Sequence, residues 1–191
     1  MPHLLHQSPL CMRRGGQGRY PGVGREGDAA ALDRAGLLQA LQSAPDILFV
    51  AAAGNSYSDN GFNEDIPSSF ELPNLITVGA VDQAGDATAF TSYGKTVRVY
   101  ANGYEIESFI PGGTRLRLSG TSMAAPAAVN LAAKLLALSP NLNPREVVSL
   151  IVDGATPSGD GKRLIINPQR SLKLLAARPP AAHHPNLEVH R

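Results

Sequence analysis

Gly120-Thr121-Ser122-Met123-Ala124-Ala125-Pro126 sets a serine hydroxyl behind a glycine, at the start of a long run of Ala, Val and Leu. Glycine lets the backbone bend sharply before a helix. The free N–H groups and partial positive charge at a helix N-terminus favour negative charge developing nearby. Ser122 is therefore a candidate nucleophile for acyl transfer; the plainer reading of the same residues is a serine capping a core helix. Acyl transfer also needs a base, a group that orients the base, and donors for the tetrahedral oxyanion. Other chemically capable residues are less well arranged. His3 and His6 have no third ligand nearby, and His183 and His184 lie in a polar tail without partners at ligand spacing. Asp59, Asn60, Asn63, Glu64 and Asp65 share one loop whose spacing fits no calcium-binding template. No metal site and no cofactor are expected.

Four stretches in order carry a family signal: Ile47–Asn55 (ILFVAAAGN), Asn74–Val81 (NLITVGAV), Phe90–Gly94 (FTSYG) and Gly120–Pro126 (GTSMAAP). Together they resemble the later part of the catalytic domain of the subtilisin-like serine proteases, the subtilases, over roughly residues 30–155. The resemblance implies an α/β fold of three layers around a mostly parallel sheet, with its N-terminal strands missing. It implies that Ser122 is the nucleophile and that Asn55 donates to the oxyanion through its side-chain amide, with the Ser122 N–H as second donor. Ala52, Ala53 and Gly54 would then form one wall of the substrate cleft. It also implies a cis bond at Ile66-Pro67. Where many subtilases carry acidic residues that hold a weak cation, Thr96 and Arg98 stand here, so that site is not expected.

The family's Asp and His motifs precede the oxyanion asparagine, and neither is recognisable. Upstream of Asn55 the only histidines are His3 and His6, and Asp28, Asp33 and Asp46 fall in capping, helical and turn contexts. A serine without an activating base is a weak nucleophile. The chain thus reads as the C-terminal part of a serine endopeptidase, inactive by itself. Two other readings stand beside it: a non-catalytic subtilase-like binding module, and one half of a split protease whose partner chain supplies the Asp and His. A complete enzyme would take peptide or protein substrates.

The elements that must position these residues are legible in outline. Asp28 is a credible N-cap for a helix over 29–43. Pro45-Asp46 turns the chain into 47–52, a short apolar run bounded by turn signals that suits a strand buried on both faces. Residues 75–81 read as a second such strand, 96–100 as a strand with one wetter face, and 106–109 as a short strand. Pro111-Gly112-Gly113 reads as a loop delivering residues 115–119 to the serine turn. The 122–138 run predicts a helix apolar all round, with Pro126 in its first turn. Asn143-Pro144-Arg145-Glu146 combines an N-cap, a proline at the first helical position and a capping-box glutamate. A last strand near 162–166 and a last helix over 169–177 complete the pattern.

Residues 1–27 are rich in Gly and Arg without periodicity and read as a disordered lead, 28–177 as a partial catalytic domain, and 178–191 as a loose tail. Lys+Arg 17 against Asp+Glu 16 leaves a net charge of +1, which makes no electrostatic case for a nucleic-acid partner. Cys11 is the single cysteine, so no internal disulfide forms. No eighteen-residue apolar run appears, no membrane partner is expected, and the N-terminus lacks a basic region and an apolar core of the signal-peptide kind. The family is mostly secreted, but the sequence itself leaves the compartment open.

Overall fold

The sequence Leu48-Phe49-Val50-Ala51-Ala52 presents apolar side chains to both sides of a pleat, and both sides are covered. The computed structural model describes residues 4–5 and 27–178. Its sheet runs β1 (Leu4–Leu5), β2 (Leu48–Ala52), β3 (Leu75–Val81), β4 (Val97–Asn102), β8 (Leu164–Ile165), β7 (Thr156–Pro157) across the fold. All neighbours are parallel except β7, which pairs antiparallel with β8 at one edge. One residue, Arg98, is extra in the β3–β4 register, where Thr77 faces Val97 and Val78 faces Val99.

Alternate residues of each strand serve different layers. Leu48, Val50, Ile76, Val78, Ala80, Val99 and Ala101 pack under α2 (Thr121–Leu138) and α3 (Pro144–Gly154). Phe49, Ala51 and Leu75 meet Leu37, Leu38 and Leu41 of α1 (Gly27–Gln42) on the opposite face. This is the three-layer α/β arrangement with a mostly parallel sheet that the sequence predicts, and all seven residues of β3 are buried. Asn74 fixes the joint between α1 and β2, donating from its buried amide to the carbonyls of Leu41 and Ala44, both at 3.0 Å.

Several boundaries differ from expectation. Gly27 and Asp28 are both helical in α1, so Asp28 lies inside the helix and is not its cap. Leu4–Leu5, within the expected lead, pairs in parallel with Leu48 and Phe49 of β2. The rest of the lead and residues 179–191 lie outside the described residues.

Helix α2 is buried along a single stripe of Thr121, Ala124, Ala125, Ala128, Leu131, Ala132 and Leu135. Its other side is exposed, with Leu138 at 68%, because the sheet covers only one flank. By length and composition this helix could cross a membrane, at a mean hydropathy of 1.3 over 18 residues. Its buried stripe lies against the sheet, as a core helix does. Pro126 sits beyond the first turn, at the sixth helical position, since the helix starts at Thr121. With no N–H there, the carbonyl of Ser122 loses its helical donor.

Residues 115–118 form a strand, β6 (Arg115–Leu118), paired antiparallel with β5 (Ile106–Phe109) in a separate two-stranded hairpin. The capping box at α3 is formed as predicted: Asn143 Oδ1 accepts from the Glu146 N–H and Glu146 accepts from the Asn143 N–H, both at 2.9 Å. Helix α4 (Pro168–Ala176) closes against α3, where Gly154 allows Ser171 to approach.

Candidate active site

The site is assembled at the C-terminal end of the sheet, where open α/β sheets place their ligands. The Ala53 N–H still bonds to the Val78 carbonyl of β3, at 3.0 Å, and the chain then leaves the sheet through Gly54, whose φ is 103°. That backbone favours glycine, and a Cβ there would lie 2.7 Å from the Asp65 carboxylate and 3.1 Å from the Ser92 hydroxyl. From the other side, β4 ends at Asn102 and Gly103 follows. The Gly120 N–H donates to the Gly103 carbonyl at 2.8 Å. A Cβ on Gly103 would fall 2.7 Å from the Gly120 oxygen and 2.8 Å from Ala80 Cβ, so only glycine lets the serine turn come this close.

These two approaches bring Asn55 to the start of α2. Asn55 Oδ1 accepts from the Thr121 N–H at 2.8 Å and from the Thr121 hydroxyl at 3.0 Å. The same hydroxyl accepts from the Gly54 N–H at 3.2 Å. Two donors meeting one atom of the amide require that atom to be the oxygen, which leaves Nδ2 and its two hydrogens on the other side. Asn55 Nδ2 donates to no protein group among the described residues. The Ser122 N–H is equally uncommitted there, between Thr121, spent on Asn55, and Met123, bonded to the Gly120 carbonyl at 3.0 Å. Ser122 is partly exposed and Asn55 exposed. The arrangement thus bonds the exposed Asn55 side chain to Thr121, the residue before Ser122 in the first turn of α2.

Of the expected cleft wall, Ala53 and Gly54 have their peptide groups engaged. Asn60 Nδ2 donates to the Ala53 carbonyl at 3.0 Å, and the Gly54 carbonyl accepts from the Ser92 N–H at 2.9 Å. The Phe49 and Ala53 N–H groups point to β3, so the intervening even residues, Ala52 among them, face the outer edge of β2. Thr121 is the residue that the sequence reading missed. Its signal was a hydroxyl wedged between Gly120 and Ser122, where a capping serine or threonine would ordinarily sit one position earlier.

The polar loop is partly tied down: Glu64 accepts from Arg34 of α1 at 2.6–2.8 Å, which holds its carboxyl below the usual range. The Asp65 carboxyl is pushed up by burial against Gly54. The Ile66-Pro67 peptide is cis, as the resemblance implies. Residues 27–178 contain no histidine, and the Ser122 hydroxyl has no hydrogen-bond partner among the described residues.

A mostly parallel sheet lies between helix layers, with a serine at a helix start and a strand-end asparagine bonded to the residue before that serine at the C-terminal end of the sheet. The family model described as the subtilase family matches residues 15–168. The chain belongs to the subtilase family. It is 38% identical to subtilisin DY of Bacillus licheniformis over 126 residues, which is 64% of this chain and 46% of the relative. It is 40% identical over 111 residues to a thermophilic serine proteinase of Bacillus sp. (strain AK1), covering 58% of this chain and 26% of that protein. Among solved structures, a cold adapted subtilisin-like serine proteinase superposes with a TM-score of 0.64 at 27% identity, over 86% of this chain and 54% of that one. The chain therefore spans about half, or less, of the length of these relatives.

Proposed function

We propose that this chain is the C-terminal portion of a subtilisin-like serine endopeptidase acting on peptides or proteins. Ser122 is the nucleophile, and Asn55 Nδ2 with the Ser122 N–H forms the oxyanion hole. The observation that carries this reading is the double acceptance by Asn55 Oδ1 from Thr121, which orients the amide and leaves both donors unspent beside the serine. Donors held in advance where charge develops give the largest single term in such catalysis. Ala52 to Gly54 form one wall of the substrate cleft, and only Ala52 has peptide groups directed at the outer edge of β2.

Within residues 27–178 nothing can serve as a histidine base, so turnover requires an Asp and a His from outside them. The test is fluorophosphonate labelling of the chain alone, and again with a separately supplied N-terminal subtilase half carrying those residues. The expected outcome is no labelling alone and labelling at Ser122 in the mixture, lost in Ser122→Ala. Asn55→Ala in that mixture is expected to lower turnover by about 10²–10³. Peptide hydrolysis by the chain alone that Ser122→Ala abolishes would overturn the need for an outside base. Failure to label in either setting would favour a binding module over a protease.

A further inference from the structure

We propose that the N-terminal end of the sheet carries a site for a multiply charged oxyanion of the phosphate class, held by Arg98 and Arg145 with Lys95 and Thr96 beside them. The site lies at the opposite end of the strands from Ser122 and does not rest on the peptidase reading. A cavity of about 510 Å³ opens there, lined by Lys95, Thr96, Arg98 and Arg145 together with Glu71 and Ser149. Three cationic side chains face one carboxylate, in a chain whose overall net charge is only +1. Glu71 is spent on Lys95, while Arg98 and Arg145 have no ion-pair partner among the described residues. A second cavity, of about 530 Å³, shares Lys95 and Arg98 and adds Lys162 and Arg163. Arg98 therefore stands on the divide between two basic hollows.

Two features of the backbone are specific to this arrangement. Arg98 is the residue inserted in the β3–β4 register, and a bulge of this kind re-aims a side chain that a regular strand would leave in line. Arg145 is the second residue of α3, whose N-terminal dipole adds to the positive field. Thr96 lies in the wall only 6% exposed, and its hydroxyl is closed to solvent, so the anion rests on the guanidinium groups and not on this oxygen. Guanidinium groups match the oxygen geometry of phosphate through paired N–H donors, which makes phosphate a better fit than a halide.

The test is calorimetric titration of the full chain with inorganic phosphate and, separately, tripolyphosphate, at an ionic strength held constant with sodium chloride. Thermal unfolding is followed in the same buffers. Phosphate is expected to bind and to raise Tm with concentration beyond the chloride control. Arg98→Ala and Arg145→Ala, both at exposed positions, are each expected to weaken binding roughly tenfold or more. Arg170→Ala on α4 should leave it unchanged. Phosphate indistinguishable from chloride at matched ionic strength would overturn the site. So would Arg98→Ala and Arg145→Ala variants that bind like the parent chain. Tripolyphosphate binding that survives in both arginine variants would reduce the face to a generic polycation and overturn it equally.

Discussion

At the C-terminal end of the sheet, Asn55, Gly54 and Thr121 hold one another through hydrogen bonds of 2.8–3.2 Å. At the N-terminal end, Lys95, Arg98 and Arg145 surround a cavity with Glu71 as the one carboxylate among them. The first end is backbone-driven: glycines at 54 and 103 let chain segments approach closely, and the Asn55 Nδ2 and Ser122 N–H groups are left without a protein partner among the described residues. The second is charged: Lys95 is paired with Glu71, while Arg98 and Arg145 have no ion-pair partner among the described residues. Precision at one end comes from steric closeness, so it is sensitive to a single methyl group. Character at the other comes from a sum of charges, so single exposed substitutions there should hardly alter the fold.

The largest test of this contrast is Gly103→Ala. The new methyl would sit 2.7 Å from the Gly120 oxygen and 3.2 Å from Ala124 Cβ, and these are backbone and core atoms with little room to yield. Overpacking of this kind costs about 1–3 kcal/mol, read as a lower urea midpoint at unchanged slope. Arg98→Ala is expected to shift stability by less than about 0.5 kcal/mol in phosphate-free buffer. Equal losses in the two variants would dissolve the contrast.

Next in size is Thr121→Val, which keeps the shape and removes the hydroxyl that bridges Asn55 and Gly54. The Gly54 N–H and one lone pair of Asn55 Oδ1 lose their partner, and a cost of about 1–2 kcal/mol follows from the unpaired buried donor. Thr121→Ser should recover most of it. Should Thr121→Val unfold at the same midpoint as the parent chain, the bridge would contribute nothing and the amide of Asn55 would be held by the Thr121 N–H alone.

Removal of the α3 cap, Asn143→Ala, is expected to cost about 1 kcal/mol, since the Asn143 side chain accepts from the Glu146 N–H, while the reciprocal bond from the backbone N–H of residue 143 survives. This feature was fully legible beforehand, because Asn-Pro-Arg-Glu is a local signal whose partners lie within one turn. The buried strands at 48–52 and 75–81 were legible for a similar reason: uninterrupted apolar runs bounded by turn residues leave few alternatives. The motif around Ser122 and the strand end at Asn55 were recognisable as a pattern, but the Thr121 bridge between them was not. It joins positions 66 apart in the chain, and a threonine beside a serine carries no mark of what it will face.

The hairpin partner was lost differently. Arg115-Leu116-Arg117-Leu118 alternates as a strand does, yet all four residues are exposed, so the pattern reflects pairing with β5 and no buried face. The position of Arg98 was hidden because a bulge is a property of two strands together. Pro126 falls in the second turn by either boundary, fifth from Ser122 and sixth from Thr121.

The smallest effect concerns Asp65, which belongs to the backbone-driven end but brings a charge to it. The residue is exposed overall, while its Oδ2 is tucked toward Gly54 and Ser92, and burial raises its carboxyl above the ordinary value. In the unfolded chain the group ionises first, and in the folded chain later, so the folded state binds the proton more tightly. Stability is then full below the unfolded value and falls as pH rises through the folded one. Asp65→Asn removes that cost. The variant is expected to match the parent chain near pH 3 and to exceed it at pH 7, by no more than about 0.5 kcal/mol given the water that still reaches the carboxylate. Chemical denaturation at the two pH values measures the difference. A variant less stable at pH 7 than the parent would mean that the Asp65 charge supports the loop around Gly54, and the C-terminal end of the sheet would then rest on charge as the other end does.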